Sequence, residues 1–498
     1  MSDDTPIAPE PEPGTGGGPA VGKDEWVARS GERRERRAGW MGVVEERTRR
    51  APWWAWLTLF AAIIALVPVG SDSGYVRRVA FDTVLYMLLA LGLNVVVGWG
   101  GLLDLGYVAF YGIGAYTYAL LASNKYDIHV EPVLLIPLVV LVGAAAGFLV
   151  GLPSRRLVGD YLAIVTLFFL QIFLTIGING DNLFGLGNVT GGPNGILEVD
   201  PLGFFGYELP VSVAGTGVFS VSYLYVALGV LVVVYVALHL VNQSRTGRAW
   251  RSLREDPLAA EMMGMPVSWL KLMSFAFGAA VAALTGTLFA SLNASVFPLT
   301  FSFPLIITVY TMVILGGAGS QAGVVIGAVI VSVLLEVLRE PGDARVLFYL
   351  AVVAGLVGAF RFSRKLVAVL GATVALGFAA HAVAKAIDRS WVAGVAEDGR
   401  TVPGWASTWG IVPDHLAAWL PPVAYIGLVA LVLVLALVPS TLRLVLLPAL
   451  LVLAAFVWEN VLLAKPEPTR FVVLGLLLIG LMIFRPNGLL GERRVEVV

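Results

Sequence analysis

The chain has 498 residues, 58% of them hydrophobic and only 13% charged, against about 25% charged in an ordinary soluble domain. It is read as an integral membrane protein, which sets aside the soluble enzymes. There is no cysteine, so disulfides, thiolate chemistry and lipid attachment to cysteine are excluded; the net charge of −1 says nothing about partners, and no nucleic-acid partner is expected.

Residues 1–50 depart from this composition. Pro, Gly and acidic residues come first, then the basic run Arg33, Arg34, Arg36, Arg37, Arg47, Arg49 and Arg50, the pattern of a disordered cytoplasmic tail. Within it GGPAVGK (17–23) matches the phosphate-loop spacing. Asp24 stands where Ser or Thr would hold magnesium, and no strand or helix flanks the motif. Nucleotide hydrolysis is therefore expected from another polypeptide. Apolar sequence begins near Pro52 without the short run and cleavage site of a signal peptide, so this first segment is expected to stay as a span.

A crossing helix needs roughly 20 apolar residues. Spans are read near 52–70, 78–98, 104–122, 132–152, 160–179 and 222–241. After a charged loop they continue at 270–292, 302–317, 321–338, 346–360, 366–386, 419–438, 443–463 and 469–484. The predicted fold is an all-α polytopic membrane bundle of about 14 spans. Alternating sides from a cytoplasmic N-terminus puts roughly 23 of the Lys and Arg residues inside and about 10 outside, as the positive-inside rule requires. Both termini are then cytoplasmic.

Two glycine runs interrupt the spans: GWGGLLDLG (98–106), with Gly100, Gly101 and Asp104, and LGGAGSQAG (315–323), with Gly316 and Gly317. Broken or re-entrant helices beside a cavity and close packing through small residues fit them equally. Asp104 reads either as a functional carboxylate at membrane depth or as a helix N-cap. In the outer loop 180–220, Thr190, Gly191, Gly192, Pro193, Asn194 and Gly195 form a turn-prone stretch.

The charged loop, 242–270, is amphipathic. Arg245, Arg248, Arg251 and Arg254 recur at spacing three, Glu255 and Asp256 follow, and Ala259, Ala260 and Gly264 make most of an E-A-A-x-x-x-G pattern. A short helix there presents Ala259 and Ala260 as a small-residue contact, charged side chains set its register, and Gly264 supplies the positive φ that ends it. The other reading is a solvated positive-inside loop.

LGLNVVVGWGGLLDLGYVAFYGIGAYTYALL (91–121), GDYLAIVTL (159–167), VTGGPNGI (189–196) and GRAWRSLREDPLAAEMMGM (247–265), with a closing RPNGLLGERR (485–494), occur in this order. Together they resemble the permease of branched-chain amino acid ABC importers, over about 75–340 and 469–494. The resemblance implies a non-catalytic subunit that works by alternating access. Its implied partners are a second related permease, two ATP-binding subunits that hold ATP and Mg, an extracytoplasmic substrate-binding protein, and the lipid bilayer of the cytoplasmic (inner) membrane. No cofactor or metal is expected on this chain. The implied coupling residues are Arg248, Arg251, Glu255, Asp256, Ala259, Ala260 and Gly264. The implied translocation path runs by Gly100, Gly101, Asp104, Gln171, Thr190, Gly191, Gly192, Asn194, Gly316 and Gly317.

The chain departs from that family twice. Gln171 and Leu174 replace a common glutamate and arginine, lost together as a buried pair would be. An insert at 341–468 reads as four spans and one outer loop of unknown role. Its Trp391, Trp405, Trp409 and Trp419 suit headgroup depth, and His381 and His415 lack companions at metal spacing. The substrate is open: branched-chain amino acids, or urea or short amides. An ion-gradient-driven secondary transporter of amino acids is the alternative class. It predicts paired intramembrane charges and two-fold repeats, which the sequence shows weakly.

Overall fold

The computed structural model describes residues 73–154, 160–181, 187–204, 207–210, 221–361, 363–392, 394, 402–413, 415, 417–484 and 488–491, with isolated positions between 58 and 66. The tail 1–50 with its phosphate-loop look-alike, most of the span expected at 52–70, part of the 180–220 loop and 492–498 lie outside these residues.

Apolar chain in a bilayer must close its backbone hydrogen bonds within itself, and helices do so. The chain order is α1 Gly74–Leu93, running into a π-helical turn Asn94–Trp99; α2 Tyr107–Leu121; α3 Pro132–Ser154; α4 Asp160–Ile178; α5 Val221–Gln243. The charged loop forms α6 Arg245–Glu255 and α7 Pro257–Met262, followed by α8 Val267–Asn293, α9 Phe303–Gly316 and α10 Gln321–Val337. The remainder is α11 Pro341–Phe360, α12 Arg364–Ile387, α13 Leu420–Leu437, α14 Ser440–Val457 with a π turn Trp458–Leu462, and α15 Pro466–Phe484.

Helices thus occur at each expected span from 78 onward, while the count of about 14 full crossings is not reached among the described residues. Among the described residues ten helices are long and apolar enough to cross a membrane. α2 has 15 residues and α10 has 17, or about 22 and 26 Å at 1.5 Å per residue, short of a core of about 30 Å. Each begins only after a glycine break, so loop and helix share one passage.

α8 is the hub, packed on α1, α2 and α3. Small residues allow it. A Cβ on Gly114 would lie 2.2 Å from Ala283 O, and one on Gly147 2.6 Å from Phe275 O, so backbone meets backbone as in small-residue membrane packing.

The glycine runs divide between their two readings. Gly316 and Gly323 pack backbone to backbone, a Cβ on Gly316 falling 2.1 Å from Gly323 O. Gly101, Gly317 and Gly319 have φ of 67°, 105° and 97° and are true breaks, where glycine alone takes the left-handed conformation cheaply. The closing segment returns to the second break, with Leu489 N donating to Leu315 O (2.9 Å) and Leu490 N to Gly316 O (3.0 Å).

In the 341–468 segment α12 and α13 pack on α14, and α11 is tied to α14 by a buried ion pair. Arg345 Nε donates to Glu459 Oε1 and Oε2 at 2.9 and 3.0 Å, both side chains 5% exposed. Phe348 stacks on Trp458 at 4.5 Å. Of the tryptophans expected at headgroup depth, Trp419 is 64% exposed, whereas Trp409 turns inward over Gly377 and beside Tyr349.

Candidate functional site

The α6–α7 elbow is set locally. Ser244 Oγ accepts from Gly247 N (3.4 Å) and caps α6; Asp256 Oδ1 accepts from Leu258 N (2.9 Å) and Ala259 N (3.0 Å) and caps α7, with Pro257 in its first turn. Asp256 is therefore a capping residue as well as an exposed charge. Gly264, at φ 79°, takes the left-handed position after α7, which agrees with the sequence expectation.

The arginines at spacing three separate by face. Arg248 and Arg251 are exposed and reach back to the end of α5, Arg248 Nη1 to Gln243 O (2.8 Å) and Arg251 Nη2 to Asn242 O (3.3 Å). Cations there complement free carbonyls at a helix C-terminus. Arg254 goes the other way, toward the helix bundle, where Nη1 donates to Gly98 O at 2.6 Å and lies 3.5 Å from Ala318 O. One guanidinium thus touches both glycine breaks.

Aromatic packing reinforces this junction. Trp250, fully buried, stacks on Trp99 with ring centroids 6.3 Å apart and donates from Nε1 to Leu270 O (2.9 Å). Trp99 Nε1 donates to Gly319 O (3.0 Å), and Asn94 Oδ1 accepts from Gly319 N (2.8 Å). Neither Trp250 and Arg254 nor Asn94 and Trp99 figure among the sequence-predicted site residues.

One of the predicted contact residues sits differently from expectation. Ala259 and Glu255 are exposed, but Ala260 is only 3% exposed and faces inward. The outward surface of the elbow is made by Leu258, Met262 and Met263, exposed to 74%, 88% and 82%. Ala260 lies about 100° round the helix from Ala259, and that step turns it from the outward face to the inward one.

At the first break Gly100 is buried, a Cβ there falling 2.7 Å from Val96 O, and Gly101 lies against Arg254. Asp104 is fully buried. Its Oδ1 accepts from Gly106 N (2.9 Å), closing the turn that starts α2, and its main-chain N and O both bond Tyr310 OH at 2.9 Å. Thr166 of the GDYLAIVTL motif supports the same turn by accepting from Leu105 N (2.9 Å). Gly316 and Gly317 end α9 beside the second break.

At the opposite face, Thr190 Oγ1 donates to Gly177 O (2.8 Å), stapling the 189–196 loop to the end of α4. Gly191, Gly192 and Gly195 all have positive φ, Gly192–Asn194 is a single 3-10 turn with Asn194 exposed, and Ile196–Leu197 pairs antiparallel with Ser295–Val296. The hairpin 122–129 clasps this loop. Ser123 bridges Val199, and His129 Nδ1 meets Asp200 Oδ2 at 2.6 Å, a contact that raises the His129 pKa through the hydrogen bond and charge of Asp200. Gln171 stands apart from both clusters, exposed near the middle of α4 beside Phe168, Ile172 and Thr175.

Known proteins share this chain's sequence over its helical core. The permease protein LivM of the high-affinity branched-chain amino acid transport system of Salmonella typhimurium is 42% identical over 277 residues, 53% of this chain and 63% of the relative. A probable branched-chain amino acid transport permease protein LivM of Methanocaldococcus jannaschii is 28% identical over 305 residues, 57% of this chain and 80% of its own length. LivH of Escherichia coli, a permease protein of the same kind of system, is 25% identical over 260 residues, 50% of this chain and 80% of LivH. The chain thus spans less than two thirds of the first of these relatives, and no solved structure matches it. The model of the branched-chain amino acid transport system permease component matches residues 75–353, from the start of α1 into α11 and through both breaks and the elbow between them; this multi-pass membrane protein belongs to that permease family.

Proposed function

We propose that the chain is the non-catalytic membrane subunit of a binding-protein-dependent ABC importer. In this reading it carries branched-chain amino acids, or similar small polar solutes such as urea or short amides, by alternating access. ATP and Mg are held by two separate subunits that dock on the exposed α6–α7 elbow at the cytoplasmic face of the inner membrane, where both termini also lie. Similarity to both LivM and LivH supports pairing with a second, related permease, and the 189–196 loop is the landing side for a substrate-binding protein.

The observation that carries this proposal is Arg254. A docking elbow does work only if its movement reaches the transport path, and Arg254 bonds the elbow to the break before α2 while touching the break before α10. Displacing α6 by an ångström breaks or drags that charge-assisted bond, worth about 1.5–3 kcal/mol, and both half-length helices follow. The apolar trio Leu258, Met262 and Met263 supplies the docking contact. On α4, Gln171 and Thr175 interrupt an exposed apolar face at mid-helix. An amide facing hydrocarbon alone costs on the order of 2–7 kcal/mol, so this face meets the second permease or the aqueous path.

The test is reconstitution of the chain with its second permease and ATP-binding subunits in proteoliposomes, with binding protein added outside. Uptake should require ATP and Mg and disappear when the elbow trio is replaced by Glu, while membrane insertion persists. Uptake driven by an ion gradient without ATP would sink the importer proposal in favour of a secondary transporter. The buried Arg345–Glu459 pair favours this second reading, as does the Arg78–Asp82 pair on α1, and each is already internally neutralised.

A further inference from the structure

The closing motif RPNGLLG (485–491) belongs neither to the elbow nor to the 189–196 loop, yet it returns to the helix bundle at the second break. Hydrogen bonding at that break explains the return. α9 ends at Gly316, and Gly317 N still donates to Val313 O (3.0 Å). In a continuing helix the next acceptors, Leu315 O and Gly316 O, would receive Gly319 N and Ser320 N, four residues on. Neither donor arrives. Gly317 and Gly319, at φ 105° and 97°, turn the chain away, so that Gly319 N goes to Asn94 Oδ1 (2.8 Å) and Ser320 N to Gly317 O (3.2 Å). The two helix-end carbonyls are left for other donors, and Leu489 N (2.9 Å) and Leu490 N (3.0 Å) supply them. Residues 489 and 490 thus stand in, one for one, for the two N–H groups that the break withdraws.

This contact is backbone to backbone. A Cβ on Gly488 would lie 2.5 Å from Ile314 O and 2.6 Å from Gly317 Cα, and Gly488 has φ 68°, so space and conformation both call for glycine. α15, which delivers the segment, packs on α9 and on the π turn that follows α14. Other polar groups of the break are held from elsewhere: Trp99 Nε1 donates to Gly319 O (3.0 Å), and Arg254 Nη1 lies 3.5 Å from Ala318 O. The break therefore has two separate fastenings. One leads through Arg254 to the elbow; the other is made by main-chain atoms of the closing segment and owes nothing to side-chain charge.

We infer that Gly488–Leu490 is a clip that fixes the end of α9 and thereby sets the direction in which α10 leaves the second break. Movement of the elbow reaches α10 through Arg254, while the clip holds α9 in place and returns the break to one geometry afterwards. Leu489 and Leu490 are positioning residues by virtue of their N–H groups, and Gly488 by the close approach it permits. The role in transport rests on the importer proposal; the clip as a structural element does not.

Three variants separate these roles. Leu489→Pro removes one of the two donors, Gly488→Ala forces the segment away from Ile314 O, and Leu489→Ala keeps the N–H. All three lie beyond α15, and the amount of each in the membrane is measured first. Hydrogen exchange is then read on the full chain alone in lipid nanodiscs. The amides of 317–320 and of Leu490 should be protected in the wild type and in Leu489→Ala, and should exchange about 10-fold faster in Leu489→Pro and Gly488→Ala. In the assembled importer the same two variants should lose about 10-fold in uptake per inserted chain while ATP hydrolysis persists, because the elbow and Arg254 are intact but α9 is no longer held. Unchanged exchange in Leu489→Pro and Gly488→Ala, or an equal loss of protection in Leu489→Ala, would overturn the clip. Faster exchange with undiminished uptake, or hydrolysis that falls in step with uptake, would overturn its role in transport. Absence of ATP-dependent uptake in the wild type removes the importer reading, and the exchange result on the chain alone stands or falls by itself.

Discussion

Arg254 illustrates how a single side chain gains a role through helix geometry. At about 100° per residue it falls on the stripe of Gly247, Trp250 and Leu253, all buried, while Arg248 and Arg251 fall outside. That stripe is legible in the sequence, but the spacing-three pattern groups the four arginines as equals and hides it. Arg254→Gln should lower ATP-dependent uptake by roughly 10-fold or more, matching the loss of a charge-assisted bond, with the amount of chain in the membrane unchanged. Glycines separate by the same logic. Gly319→Ala adds a Cβ 2.5 Å from Arg254 Nη1 at φ 97° and should abolish uptake, whereas Gly264→Ala meets open space and pays only the left-handed penalty, about 1–2 kcal/mol. Uptake by the two alanine variants, normalised to inserted protein, checks the order. His129 gives a pH dependence of known sign. Its folded pKa is raised above 6.5 by Asp200, so its stabilising contact is complete below that value and is lost as pH rises through the raised one. Hydrogen exchange in 122–129 and 196–200, corrected for intrinsic rate, should quicken with rising pH in the wild type and lose this dependence in His129→Ala.

The helices themselves were readable as apolar runs, because hydropathy is a local property of the chain. What each helix does was less so. The segment 104–122 has the composition of a span, yet its helix starts at Tyr107 because Asp104 and Gly106 build a turn anchored by Tyr310 and Thr166, residues far away in sequence. The 341–468 segment shows the same limit. Its four helices follow from hydropathy, but the tie between the first and last depends on Arg345 and Glu459, 114 residues apart. Glu459→Gln leaves a buried guanidinium uncompensated and should destabilise the packing of α11 on α14 by about 3–5 kcal/mol, while Arg345→Met with Glu459→Leu should recover most of it. Thermal unfolding in detergent, followed at Trp458 against Phe348, distinguishes the two outcomes.

For the whole molecule, the absence of cysteine makes the exposed face of α4 directly testable, since any introduced thiol is unique. In the assembled importer Gln171→Cys should react with a small hydrophilic methanethiosulfonate reagent at a rate that changes on ATP addition. Val445→Cys, 70% exposed on α14, should remain unreactive in lipid. Equal protection of both thiols in every state would remove Gln171 from the water path. Composition, hydropathy period and motif order by themselves determined the membrane class, the succession of helices, the charge asymmetry behind the proposed sidedness and the family resemblance, all properties summed over neighbouring residues. Only the tertiary structure decided which glycines break a helix and which merely pack. It also decided that Arg254 reaches a carbonyl 156 residues away, that Ala260 turns inward, and that four helix ends line a polar cavity. These depend on contacts between segments remote in the chain, whose geometry no local pattern of residue types encodes.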